Sequence, residues 1–130
     1  MNKPKTANWL VITDLDGTLL DHEYDLTPAL TTLNWLRNEG IPVIPCTSKT
    51  ASEVVDFRKV ISSKDPYIVE NGGAIYGLKG ENNKELELIL GRPYEELRPV
   101  LNHLSKDIDY PLKALKDISN EEVHILTGLT

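Results

Sequence analysis

Short apolar stretches alternate along the chain with longer segments in which apolar residues recur every three or four positions. Residues 9–13 and 41–46 are apolar runs of strand length. Residues 28–36 and 51–61 place their apolar residues at helical spacing. The order strand, helix, strand, helix predicts an α/β fold with a parallel sheet and right-handed crossovers.

Turn and capping residues set the expected limits of these elements. Thr27 before Pro28 reads as a helix N-cap followed by proline at the first helical position, and Gly40 reads as the stop. The two prolines of residues 41–46 weaken the assignment of that run as a central strand. Residues 66–77 predict two short strands around a glycine turn, as in a hairpin.

Composition changes after Gly77, where a polar link leads to an alternating strand pattern at residues 85–90. A helix face follows from Tyr94 to Ile108, with Pro99 expected to kink the helix or to mark its true start. A capping box at Ser119 and a stop at Gly128 predict a last short helix over residues 120–127. We therefore expect residues 1–77 to be the N-terminal part of a core and residues 78–130 to begin a second unit that does not close a core of its own.

Charge and composition narrow the class of protein. The 130 residues carry a net charge of −6 with acids and bases interspersed, so no basic face for nucleic acid is expected. The chain shows neither a run of membrane-spanning length nor a signal peptide, which predicts a cytoplasmic protein. Cys46 is the single cysteine and is expected to be a buried structural thiol. The histidines, at positions 22, 103 and 124, lack the spacing of metal ligands.

Two acids stand where the first apolar strand ends. Side chains alternate along a strand, so Asp14 and Asp16 are expected to point to the same side. Their mutual repulsion calls for a divalent cation or a shared proton. Thr47 follows the second strand and is expected at the same edge of the sheet, where ligands bind in such folds. The simpler alternatives are a solvated acidic turn for the acids, and a helix N-cap or an ordinary loop hydroxyl for Thr47.

The sequence DLDGT at residues 14–18 resembles the D-x-D-G-T signature of the haloacid dehalogenase superfamily of Mg-dependent phosphohydrolases. The resemblance implies a Rossmann-like parallel sheet core, here partial, with an α/β cap inserted after the hairpin. It also implies that Asp14 is a nucleophile, Asp16 a general acid/base, and both part of an Mg²⁺ site. Thr47 matches the family residue that binds the transferring phosphoryl group, and residues 21–26 stand where the family has a small flap.

Further strings resemble the mannosyl-3-phosphoglycerate phosphatase branch of that superfamily, and they lie at residues 46–50, 68–75, 90–98 and 119–129. Residues implied to contact substrate or phosphate are Thr47, Ser48, Lys49, Asn71 and Gly72. Sugar phosphatases of the wider subgroup more often have T-G-R where this chain has TSK. Lys49 is equally well read as an ordinary solvated lysine.

Two family motifs are absent from the chain: a later lysine and a later acidic pair that completes the metal site. We therefore expect an N-terminal portion with little or no phosphatase activity by itself. An incomplete sheet also predicts an exposed edge that is prone to self-association.

The function implied by the resemblance is Mg-dependent hydrolysis of a small phosphorylated sugar or glycerate, most simply mannosyl-3-phosphoglycerate. Sucrose phosphate and glucosyl-3-phosphoglycerate are alternative substrates, and a phosphomutase is disfavoured. A non-catalytic binding module with the same fold is a second class. A receiver domain is a third, although its acidic pair normally precedes its phospho-acceptor on a separate strand.

Overall fold

A computed structural model describes residues 9–128 of the chain. Within that range the chain forms five strands and four α-helices, with three short 3₁₀ turns between them. The elements are β1 Val11–Thr13, α1 Thr27–Asn38, β2 Val43–Pro45, α2 Ala51–Val60, β3 Tyr67–Val69, β4 Ala74–Lys79, β5 Glu85–Ile89, α3 Tyr94–Asp107 and α4 Asn120–Thr127. The predicted alternation of strands and helices is confirmed.

The first three strands are parallel and the last three are antiparallel. β1 pairs with β2 in parallel, with Val11 opposite Val43. A single parallel bridge between Cys46 and Ile68 joins the end of β2 to β3. β3 then pairs with β4, and β4 with β5, in antiparallel register. The predicted hairpin is thus β3 and β4, and the carboxyl ends of β1, β2 and β3 lie along one edge.

One hydrophobic core joins this sheet to α1 and α2. Leu33 of α1 and Val54 of α2 are buried in it, together with Leu15 from the loop after β1. The predicted apolar stripe of α1 faces this core, and Trp35 lies at its exposed edge. Removing this apolar surface from water is the main favourable contribution to folding. The core therefore fixes the loops that follow β1 and β2.

The start of α1 differs from the sequence prediction. The N-cap position is Leu26, and Thr27 already lies inside the helix. Asp25 holds the first residue of the helix instead. Its Oδ1 accepts hydrogen bonds from both the backbone N–H and the hydroxyl of Thr27, at 2.9 and 2.7 Å. These bonds lower the pKa of Asp25. The predicted stop at Gly40 is confirmed by its φ of +70° after the helix ends.

The chain divides into two compact units after Gly91. The division falls there because β5 pairs with β4 and so belongs to the first unit. The predicted division into a core at residues 1–77 and the beginning of a cap at residues 78–130 stays a prediction.

The strand β5 is the last strand in its sheet, and all five of its residues are exposed. Self-association through a sheet edge also stays a prediction.

The second unit contains α3 and α4. α3 begins at Tyr94 and includes Pro99, so the prediction that Pro99 marks the helix start is wrong. An ion pair between Arg98 and Asp117, 3.2 Å apart, joins α3 to the following 3₁₀ turn. α4 has the bounds and the Ser119 capping box that the sequence predicts. None of the helices among residues 9–128 has the length and apolar character needed to cross a membrane.

Candidate active site

The loop after β1 presents two acids around a buried leucine. Leu15 is fully buried, whereas Asp14 is exposed and Asp16 is half-buried. The Leu15 N–H donates to Asp14 Oδ1 at 2.7 Å, and the Leu15 carbonyl accepts the N–H of Thr18 and of Leu20. This burial pattern follows the alternation that the sequence predicts. The buried Leu15 thus anchors both acids to the core.

The loop after β2 is built around Thr47, which is only 3% exposed. Its N–H donates to the carbonyl of Ile68 at 3.2 Å, and its Oγ1 accepts the N–H of Lys49 at 3.2 Å. The N-cap of α2 is Thr50, which forms a capping box with Glu53. The alternative role of Thr47 as a helix cap is therefore wrong. The Thr47 hydroxyl is held beside the end of the strand instead.

The turn between β3 and β4 completes the edge. Asn71 has a left-handed φ of +56° and Gly72 a φ of +91°, so this turn uses the conformations that the asparagine and glycine favour. The Asn71 N–H donates to the carbonyl of Thr47 at 3.1 Å, and the Glu70 N–H donates to the carbonyl of Lys49 at 3.0 Å. Two backbone hydrogen bonds thus tie this turn to the loop after β2.

These loops share one cleft. Asp14, Thr47, Ser48 and Asn71 line it, and Cys46 is the fifth lining residue. The structure thus brings four of the predicted site residues together. The thiol of Cys46 is half-buried, so the prediction of a buried thiol is wrong. It is only half-buried because the strand ends at Pro45 and Cys46 already lines the cleft.

Three predicted site residues, Asp16, Lys49 and Gly72, are not among those that line the cleft. Asp16 and Lys49 form an ion pair, with Lys49 Nζ 3.1 Å from Asp16 Oδ1. Sequence reasoning missed the two other neighbours of Lys49: Glu53 Oε1 lies 3.9 Å from Nζ, and Nζ stands 5.2 Å from the centre of the Tyr24 ring. The spacing of Lys49 and Glu53, four residues apart at a helix start, was the available signal.

Hydrogen bonds from Thr50 lower the pKa of Glu53, which lies beside the pair of Asp16 and Lys49. The Thr50 hydroxyl donates to Glu53 Oε2 at 2.7 Å and the Thr50 N–H donates to the same oxygen at 2.9 Å. They lower the pKa of Glu53, and the positive charge of Lys49 adds to the effect. Glu53 therefore stays a carboxylate to lower pH than an ordinary glutamate.

Asp14 and Asp16 offer the type of ligand that Mg²⁺ prefers. Their carboxylates are hard oxygen donors, and Mg²⁺ keeps several waters, so few protein ligands are needed. Asp16 Oδ1 is buried beside Lys49 Nζ, 3.1 Å away, but the Asp16 side chain as a whole is 37% exposed, so the exposed remainder of the side chain is available to a cation. Among these residues no group of three or more histidine, cysteine or acidic side chains forms a metal cluster. The two acids fit as part of an Mg²⁺ site.

Comparison with known proteins gives a family match over the first unit. The sequence model of the haloacid dehalogenase-like hydrolase family matches residues 11–90. The chain is 37% identical to the glucosyl-3-phosphoglycerate/mannosyl-3-phosphoglycerate phosphatase of Persephonella marina and 34% identical to that of Methanococcoides burtonii. Each match covers 92% of this chain and 48% of the relative. The chain thus spans about half the length of these curated relatives.

Solved structures show the same fold. A haloacid dehalogenase-like hydrolase from Bacteroides thetaiotaomicron superposes with a TM-score of 0.62 at 20% identity, covering 78% of this chain and 38% of that one. One from B. subtilis superposes with a TM-score of 0.57 at 21% identity, covering 76% and 34%. At these identities the likeness is one of fold.

Proposed function

The chain belongs to the haloacid dehalogenase-like hydrolase family, and on this basis we propose that it carries the nucleophile and the phosphate-binding residues of a phosphomonoester hydrolase. One observation carries the proposal: Asp14, Thr47, Ser48 and Asn71 line a single cleft at the carboxyl ends of the parallel strands. An exposed carboxylate beside a cluster of hydroxyl and amide groups suits attack on a bound phosphate.

The reaction proceeds in two displacements. The Asp14 carboxylate attacks phosphorus, a bond forms between its oxygen and phosphorus, and the bond from phosphorus to the ester oxygen breaks as Asp16 donates a proton to that oxygen. Asp16 then takes a proton from water, the water oxygen attacks phosphorus, and the bond to Asp14 breaks. Phosphate leaves and Asp14 is a carboxylate again. Asp14 and Asp16 would hold Mg²⁺, which would supply positive charge that screens the phosphate from the attacking carboxylate.

Phosphate is held by the residues around Asp14. Thr47 Oγ1 accepts the N–H of Lys49, so its own hydroxyl proton is free to donate to a phosphate oxygen. Ser48 and Asn71 offer further donors from the same cleft. A contact from Gly72 to substrate stays a prediction. The structure pairs Lys49 with Asp16, so a contact from Lys49 to substrate is not part of this proposal.

The substrate we propose is a hexosyl-3-phosphoglycerate. Both relatives are named for the glucosyl and the mannosyl compound. Mannosyl-3-phosphoglycerate is our first choice, and the glucosyl compound is the alternative that these names support. Sucrose phosphate has no such support.

Because residues 1–130 are expected to have little activity by themselves, the test uses a protein extended by the half that the curated relatives have beyond the matched region. It measures phosphate release with Mg²⁺ from these three compounds and compares this protein with its Asp14→Asn variant. Asp56→Asn is the matched control, because Asp56 is exposed on α2 and pairs only with Lys59 among its described contacts. Acid quenching during turnover should trap phosphate on Asp14. Release that is lost in Asp14→Asn and kept in Asp56→Asn supports the proposal.

Two results would contradict this proposal. Equal release by Asp14→Asn would rule out Asp14 as the nucleophile. Binding of the hexosyl-3-phosphoglycerates without release by either the unchanged protein or Asp56→Asn would indicate a binding module instead of a hydrolase.

A further inference from the structure

We infer that Lys49 is a positioning residue that holds Asp16 for proton transfer and does not bind the substrate anion. This inference rests on the proposed function, in which Asp16 exchanges a proton with the leaving oxygen. Its structural basis is the pair itself: Lys49 Nζ lies 3.1 Å from Asp16 Oδ1, so the ammonium group is already paired with the acid that the proposed reaction uses for proton transfer.

Asp16 needs a partner of this kind. Its Oδ1 is buried and accepts no hydrogen bond from the described residues. A buried carboxylate oxygen without compensation is strongly unfavourable, so the ammonium group of Lys49 stabilises it where it stands. The side chain as a whole is 37% exposed, and because Oδ1 is buried that exposure lies on its other atoms. We assign Oδ1 to the ion pair and Oδ2 to proton transfer.

Both backbone polar groups of Lys49 form hydrogen bonds. Its N–H donates to Thr47 Oγ1 and its carbonyl accepts the N–H of Glu70. Its side chain is only 20% exposed, which is low for a lysine. A lysine side chain that is free to bind substrate would extend into solvent. The Lys49 side chain is held between the loop after β2 and the loop after β1.

The surroundings of the ammonium group keep it in place. Glu53 Oε1 lies 3.9 Å from Nζ, and the Thr50 hydrogen bonds to the other oxygen of Glu53 fix that carboxylate. On another side the Tyr24 ring lies under the cation at 5.2 Å. Lys49 thus contacts Asp16, the start of α2 and the segment before α1 together, so that the position of Asp16 is fixed relative to two other elements.

The experiment compares Lys49→Met, Lys49→Arg and Asp16→Asn by steady-state kinetics with two substrates, in the same extended protein that tests the proposed function. A hexosyl-3-phosphoglycerate has a poor leaving group that needs a proton, whereas p-nitrophenyl phosphate has a good one that does not. We expect Lys49→Met to lower kcat for the first about 100-fold with little change in KM, and to lower kcat for the second less than about fivefold. Lys49→Arg should restore most of the lost kcat, since it keeps the charge.

Two controls separate positioning from a general loss of structure. Lys59→Met removes an exposed lysine of α2 that pairs with Asp56, and it should leave both substrates unaffected. The double variant of Lys49→Met with Asp16→Asn should be no slower than Asp16→Asn alone, because both changes act on one step. A tenfold rise in KM with unchanged kcat in Lys49→Met, or equal losses with both substrates, would overturn the inference.

A second readout needs no turnover. The carbon NMR signal of the Asp16 side-chain carboxyl, recognised by its loss in Asp16→Asn, should shift in Lys49→Met and not in Lys59→Met. An unchanged signal in Lys49→Met would overturn the inference. Failure of the proposed function is distinct, since it would appear as full activity of Asp14→Asn whatever Lys49 does.

Discussion

The backbone N–H of Val43 donates to Asp65 Oδ2 at 3.0 Å, so a side-chain carboxylate takes the place of a strand carbonyl as the acceptor at the start of β2. Val43 is buried in the core, and Asp65 belongs to the loop that leads into β3. This bond links the amino-terminal ends of the strands, opposite the cleft. It satisfies a buried donor that would otherwise have no strand partner.

Asp65→Ala should lower the free energy of unfolding by about 1–3 kcal/mol, because it leaves the buried Val43 N–H without an acceptor. Asp65→Asn is the matched control, since its amide oxygen can still accept the bond. Urea unfolding of both variants measures the difference. Equal stability of Asp65→Ala and Asp65→Asn would show that the hydrogen bond contributes nothing.

Leu15→Ala should lower the free energy of unfolding by about 2–5 kcal/mol through the cavity it leaves. Leu15 is fully buried, and it also anchors Asp14 and Asp16. Val60→Ala serves as the comparison, since Val60 is 71% exposed on α2 and its truncation should change stability by less than about 0.5 kcal/mol. Thermal unfolding of the two variants is the measurement, and similar losses for both would contradict the prediction.

Thr47→Val should reduce kcat about 100-fold or more, because it removes a donor aimed at the charge that develops on the phosphoryl group. It also leaves the Lys49 N–H without its acceptor. Thr47→Ser keeps the hydroxyl and should stay within about tenfold of the unchanged protein. Phosphate release distinguishes them, and comparable activity of Thr47→Val would exclude a phosphate contact from this hydroxyl.

The low pKa of Glu53 predicts a dependence of stability on pH. Since the pKa of Glu53 in the folded protein lies below its ordinary value, its contribution is fully present above that value and is lost as pH falls through the lower folded pKa. Asp25 acts in the same direction, so the effect of Glu53 is taken as a difference from Glu53→Gln. Unfolding measured from neutral to acid pH should show a smaller loss in Glu53→Gln. Glu87→Gln, on exposed β5, should follow the unchanged protein.

Local chemistry made some elements predictable to the residue. α4 follows from Ser119, whose hydroxyl accepts the Glu122 N–H, and from the left-handed Gly128. Its signals lie within nine residues of one another, so no distant contact is needed to interpret them. The D-x-D-G-T segment is local in the same sense, which is why the placement of Asp14 and Asp16 after a strand could be predicted.

β2 was harder to predict because Pro42 precedes it and Pro45 lies in it, and prolines argue against a central strand. Alternate residues of a strand direct their N–H groups to opposite neighbours. Cys46 donates toward β1, to the carbonyl of Thr13, whereas Val43 and Thr47 donate away from β1. Pro45 therefore falls on the side away from β1, where its missing N–H does not interrupt the ladder with β1. Sequence alone does not tell which side a proline of a strand will face.

The partners of Lys49 and Asp65 could not be predicted for a related reason. Asp16 precedes Lys49 by more than thirty residues, and the pair forms only after the sheet has brought two loops together. Asp65 meets Val43 across a whole helix in the same way. No periodic pattern encodes such contacts, because they depend on how crossovers place the ends of strands.

The three parallel strands have only three residues each, and their cleft takes residues from the loops that follow all of them. A ligand in the cleft therefore binds a feature that exists only when every one of these strands is in register. By mass action, occupancy of the cleft raises the stability of the whole sheet, by about 2.7 kcal/mol when free ligand is at 100 times its Kd. The concentration of free ligand thus helps to determine how strongly the folded chain resists unfolding and proteolysis.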